Sequence, residues 1–316
     1  MMKDMRAVIF GCSGPVLLPK EADFFKKVNP LGFILFARNI ENPVQLKKLT
    51  SDLRECINRQ DAPILIDQEG GRVQRMRAPY WTELPAANTY GILYDEGKKE
   101  QAFEGLKHHT DVLSKILIEV GINVDCWPCM DVATPLVSPV LGNRLFSQNP
   151  DTVITLALRA MDQMLEKGLM PVVKHLPGYG RATVDPHKSL PVVDASMEEL
   201  AQDFAPFRAV QKPVWGMTAH VLYKALDDKN PATVSKKVMN FIREDIGFKG
   251  LLITDDISMG ALGPDIKTSA KDCLNAGCDV VLHCNGLLDE MENLAKIIPP
   301  MTDEALIRYE KAKELL

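Results

Sequence analysis

Eight short apolar runs, spaced along the whole chain and separated by helical patterns, most constrain its fold. They fall at 7–11, 32–36, 63–66, 123–126, 171–173, 216–219, 250–253 and 279–282. Each is too short for a typical helix, and several are rich in Val and Ile. Such runs suit strands buried on both faces, the condition of a parallel sheet. Helical patterns lie between most of them. The segment 43–57 opens with Pro43 and repeats apolar residues at Val44, Leu46, Leu49 and Leu53, which puts one oily stripe along a helix. Comparable patterns occupy 97–120, 151–167, 198–211, 235–245, 266–276, 287–297 and 302–315, whereas 19–28 reads as a short helix at best. Eight strands alternating with helices predict an α/β chain folded as a (β/α)8 TIM-type barrel. A doubly wound sheet is the rival, but no Gly-x-Gly-x-x-Gly follows any strand. No linker or low-complexity segment interrupts the pattern, so residues 1–316 read as one catalytic barrel domain.

Composition removes several function classes. The net charge is −5 and Lys and Arg form no long run, which argues against nucleic acid as a partner. No apolar stretch approaches the roughly 20 residues needed to cross a bilayer, so no membrane partner is expected. The N-terminus loosely imitates a signal peptide, and Gly11-Cys12 faintly imitates a lipoprotein site. Asp4 spoils the positive start and Pro15 interrupts the apolar run, so this segment is read as a buried first strand. The seven cysteines are an odd number in a long chain, which suggests reduced thiols and the cytoplasm. Cys126 and Cys129 have redox-type spacing. The residues after them do not read as a helix, and no second pair completes a zinc site. No metal or cofactor is expected.

Polar residues gather where the strand candidates end. Asp67 follows the third run, Lys174-His175 the fifth, His220 the sixth, Asp255-Asp256 the seventh, and His283 and Asn285 the eighth. In a parallel barrel those ends share one face, the face where barrel active sites form. After Asp67 comes Gln68-Glu69-Gly70-Gly71-Arg72-Val73-Gln74-Arg75. Paired glycines permit sharp turns, Asp67 suits neighbouring sugar hydroxyls, and Arg75 can donate to others or lock Asp67 in place. A structural ion pair among Glu69, Arg72 and Arg75 is the competing reading. The stretch Lys174–Pro191 forms a long loop carrying Asp185 and His187, in which a carboxylate can orient an imidazole for proton transfer. Arg144, within Leu141–Phe146, is a further candidate.

Four segments together, Ile66–Arg75, Leu141–Phe146, Lys174–Pro191 and Ile253–Leu262, resemble glycoside hydrolase family 3 in content and order. Within it the chain is similar to the bacterial cytoplasmic β-N-acetylglucosaminidases of peptidoglycan recycling. The resemblance implies a retaining hydrolase that removes terminal, non-reducing β-linked N-acetylglucosamine from muropeptides. It makes Asp255 the nucleophile and His187 the general acid/base, with Asp185 as partner. Asp67, Arg75, Arg144, Lys174 and His175 become sugar-binding residues. Leu176, Tyr179 and Arg181 depart from the family's common loop, which has Phe, His and Asp there. A small-molecule substrate and a monomer are expected.

Three rivals remain. A phosphorylase would replace water with phosphate in the second step. A metal-dependent barrel enzyme would use Asp67, Asp255, Asp256 and His283 as ligands. A sugar-binding barrel would bind without turnover.

Overall fold

The computed structural model describes residues 4–135, 137–138, 140–185 and 189–316. His187 lies outside the described residues. Eight parallel strands close into a barrel: Arg6–Gly11, Pro30–Leu35, Ile64–Ile66, Val124–Asp125, Met170–Leu176, Trp215–Thr218, Leu252–Asp256 and Val280–His283. Each pairs with the next in chain order, and the first closes on the last through Val8 opposite Val281. All eight overlap the predicted runs. Strand residues such as Val8, Phe33, Leu65, Val172 and Ile253 are buried, and each such side chain stabilises the fold by roughly 1.5–3 kcal/mol. The first run is therefore an interior strand, as its composition indicates.

Helices wrap the barrel. Pro43–Cys56 starts where the Asn42 side chain accepts from the Gln45 amide, and Ser196 with Glu199 forms a capping box on Met197–Arg208. Two helices differ from expectation. Pro19–Val28 runs a full ten residues. The Glu21 carboxylate accepts from the backbone of Ser13 and Leu18, which satisfies amides at its start, and Phe24 and Phe25 pack on Phe10. Ala87–Asp95 was not anticipated, since Asn88, Thr89 and Gly91 favour helix weakly. Tertiary contact supplies the missing preference: the Tyr90 hydroxyl meets His109 Nδ1 at 3.0 Å on the long helix Lys99–Glu119.

A two-stranded parallel ladder, Val192–Val193 with Leu222–Tyr223, lies outside the barrel. It fastens the far end of the loop that carries Asp185.

Candidate active site

A cavity of about 320 Å³ opens at the carboxyl ends of the strands. Asp67, Arg75, Arg144, Lys174, His175 and Asp255 all line it. They come from the ends of strands three, five and seven and from two loops, so the closed sheet brings them together across 188 positions of sequence between Asp67 and Asp255.

One side is a lattice of charges. Lys174 is 1% exposed, and its Nζ lies 2.9 Å from Asp67 Oδ1 and 2.7 Å from Glu69 Oε1. Arg144 grips Glu69 with two parallel bonds of 2.8 and 2.7 Å. Arg75 Nη2 reaches Asp67 Oδ2 at 3.1 Å. Such charge-assisted forks are strong and fix orientation. Burial alone raises both carboxyls, but the neighbouring cations outweigh it. Lys174 and Arg75 hold Asp67 well below the usual carboxylate range, and Arg144 and Lys174 bring Glu69 down to about 2. The same carboxylates raise Lys174 despite its burial. The expected pairing of Arg75 with Asp67 is present. The competing trio is not: Glu69 pairs with Arg144 and Lys174 rather than with Arg72 or Arg75, because the turn swings Glu69 inward.

That turn depends on Gly70 and Gly71, at φ of 93° and 58°. A Cβ on Gly70 would also come within 2.2 Å of the Pro85 carbonyl, so no other residue fits. Gln68 braces the segment from beneath. Its Oε1 accepts from the backbone amides of Arg75 and Met76, and its backbone amide donates to Asp125 Oδ1.

Asp255 stands at the end of the seventh strand, half-buried, with its Oδ1 accepting from the Asp256 amide at 2.8 Å. Asp256 has a structural task, accepting from Ser258 and from the Cys284 amide. The strand-end histidines 220 and 283 are likewise occupied. His220 bonds Thr233 and the Asp256 carbonyl, and His283 meets Glu290.

The loop after strand five is packed at its base. Gly180 abuts the Val132 carbonyl so closely that a Cβ there would lie 1.7 Å from it. The Tyr223 hydroxyl donates to the Gly178 carbonyl. The three departures from the family loop are built in: Leu176 is buried, Tyr179 donates to the Val184 carbonyl, and Arg181 pairs with Asp203 at 2.7 Å. Burial pushes the Tyr179 phenol up, and the charges of Asp255, Asp131 and Asp185 add to it.

Sequence reading missed Asp131. Its carboxylate is fully buried, lies 2.7 Å from His175 Nδ1, and also accepts from the amides of His175 and Tyr179. The signal was weak: Asp131 comes five residues after the fourth run, whereas Asp67, Lys174 and Asp255 come within two residues of theirs. With Cys129 and His175 it makes, among the described residues, one trio of metal-ligand type whose donor atoms lie within 4.8 Å of one another. The Cys129 Sγ to Asp131 distance is 3.2 Å, and this and the 2.7 Å contact to His175 are hydrogen-bond separations. Asp67, Asp255, Asp256 and His283 do not form such a group among the described residues.

Comparison with known proteins agrees with this architecture. Residues 19–308 match the family model of the glycosyl hydrolase family 3 N terminal domain. A beta-hexosaminidase of Neisseria meningitidis serogroup C is 40% identical over 268 residues, 82% of this chain and 73% of the relative. One from Bordetella avium is 35% identical over 283 residues, 86% of this chain and 79% of the relative. The crystal structure of NagZ from Neisseria gonorrhoeae in complex with N-trifluoroacetyl-D-glucosamine superposes with a TM-score of 0.89 at 33% identity. It covers 98% of this chain and 90% of that one. The chain belongs to glycosyl hydrolase family 3, among its β-hexosaminidases.

Proposed function

We propose that this family 3 β-hexosaminidase removes terminal, non-reducing β-linked N-acetylglucosamine from peptidoglycan-derived muropeptides, with retention of configuration. The observation that carries this reading is the presence of Asp255 in the same cavity as Asp67, Arg75, Arg144, Lys174 and His175. The five hold the sugar's hydroxyls, and Asp255 faces the anomeric carbon.

In the first step an oxygen lone pair of Asp255 attacks C1. The bond from C1 to the leaving oxygen breaks, and that oxygen takes a proton from the imidazolium of His187. A covalent glycosyl-enzyme remains. In the second step the neutral imidazole accepts a proton from water as that water attacks C1, and Asp255 leaves as carboxylate. Asp185 orients the ring and stabilises its cationic form. No cofactor enters either step.

The enzyme works as a monomer in the cytoplasm, on a small-molecule substrate. All seven cysteines are free thiols, as suits a reducing compartment. No helix of the described residues is long and apolar enough to cross a membrane.

A 5-fluoro N-acetylglucosaminyl fluoride tests the reading. It slows both steps and traps the intermediate. Peptide mapping by mass spectrometry is expected to find one sugar on Asp255. A label on another residue, or turnover of a natural GlcNAc-disaccharide with inverted product, overturns it.

A further inference from the structure

We propose that Asp131 is a positioning residue for sugar recognition: it fixes the ring of His175 with the proton on Nδ1, so that Nε2 meets a substrate hydroxyl as an acceptor. The inference rests on the cavity being the sugar site, and it goes beyond the residues assigned there.

The geometry points one way. Asp131 is fully buried, and its two oxygens receive four donors. Oδ1 takes the backbone amides of His175 at 3.2 Å and Tyr179 at 2.6 Å. Oδ2 takes the Cys129 thiol at 3.2 Å and His175 Nδ1 at 2.7 Å. A carboxylate offers only acceptors, and the imidazole beside Asp131 together with these bonds holds it in that form, below its ordinary range despite burial. Nδ1 must then carry the hydrogen. In a neutral ring that leaves a lone pair on Nε2. His175 lines the cavity, and no described residue bonds Nε2.

The ring is also held in orientation. Tyr179, whose amide is tied to the same carboxylate, packs edge-on against it at 5.6 Å. Asp131 thus fixes both rings of one wall.

The competing explanation is purely structural: Asp131 satisfies two loop amides and nothing more. Two measurements separate them. The first uses the wild-type protein, labelled with nitrogen-15 in histidine, at about pH 8.5, above the ordinary imidazole range. His175, assigned by loss of its signals in His175→Ala, is expected to show a protonated Nδ1 and a bare Nε2. The reverse tautomer, or protons on both nitrogens, overturns the proposal. This readout needs neither activity nor a folded Asp131 variant, so it stands apart from any failure of the hydrolase reading.

The second is a double-mutant cycle on 4-nitrophenyl N-acetyl-β-D-glucosaminide. Asp131→Asn keeps an oxygen for the loop amides but turns a donor toward Nδ1. In the wild-type background kcat/KM is expected to fall about 10- to 100-fold, the scale of a hydrogen bond to a charged group. In a His175→Ala background the same change is expected to cost under about 2-fold, because the partner is already gone. An equal loss in both backgrounds makes Asp131 structural only and overturns the proposal.

Discussion

At the ends of strands three and five, Asp67, Glu69, Lys174, Arg75 and Arg144 pair with one another, and Lys174 and Glu69 are sealed from water. At the end of strand seven, Asp255 is half-buried, and among the described residues its one hydrogen bond comes from the Asp256 amide. The difference is the one that the proposed roles of sugar-gripping residue and nucleophile require. A group that grips hydroxyls gains from fixed, charge-assisted partners, since its orientation is set before substrate arrives. A nucleophile loses from them, because each bond to the charged form stabilises the lone pair it must donate.

The sharpest break comes from Asp255→Asn. It removes the lone-pair donor and leaves the opposite lattice intact. Turnover of a nitrophenyl glycoside is expected to fall on the order of 10⁵-fold, the scale on which losing a covalent nucleophile acts. N-Acetylglucosamine affinity by calorimetry is expected to change little. Equal loss of binding and turnover erases the contrast between the two sides.

The second break reverses the roles. Lys174→Met deletes the cation shared by Asp67 and Glu69 and leaves them with Arg75 and Arg144 alone. Removing one partner of a buried ion pair costs about 3–5 kcal/mol, and urea melts at neutral pH read it. Acid response shifts as well. Glu69 sits at about 2 when folded, below its ordinary 4.5. Its contribution is therefore present above pH 4.5 and lost as pH falls toward 2. In Lys174→Met that loss is expected to begin at higher pH. An unchanged melt, with an unchanged acid limb, makes the lattice ornamental.

How much of this was legible in the sequence depends on whether local chemistry or distant contact decides it. The strands were, because a regular series of apolar runs three to five residues long, several rich in Val and Ile, has few other uses. The cavity positions of Asp67, Lys174, His175 and Asp255 were as well, since strand ends of a barrel converge whatever the loops do, whereas Arg75 and Arg144 reach the cavity from loops. The helix Ala87–Asp95 was not, because its stability comes from Tyr90 meeting His109 nineteen residues away. Nor was the partner choice of Glu69. Sequence offered two nearby arginines, Arg72 and Arg75, and the positive φ of Gly70 and Gly71 sends the carboxylate to Arg144 instead. Asp131 escaped because it lies five residues past its strand run and its partners, His175 and Tyr179, are more than 40 residues away.

A third residue sharpens the comparison from below. Asp125 lies directly under Gln68, one residue from Asp67, yet it has the opposite electrostatic history. Its Oδ1 accepts from the Gln68 amide, and its Oδ2 has no partner among the described residues. Burial pushes its carboxyl up to about 8, and the Gln68 bond offsets this only in part. The unfolded chain gives up that proton near the ordinary value of 3.8, while the folded chain keeps it to about 8. A raised folded value makes stability fall as pH climbs through that window, then level off. Asp67 and Glu69 act in the other direction, at lower pH. Asp125→Asn keeps the shape and the acceptor for Gln68 but has no proton to lose. Its stability relative to wild type is expected to be near zero at pH 4 and to rise steadily to pH 8 in urea melts. A constant difference across that range would mean Asp125 titrates alike in both states. A variant that grows worse above pH 4 would mean the carboxyl is ionised and belongs to the Lys174 lattice, which would move the boundary between the two regions one strand further.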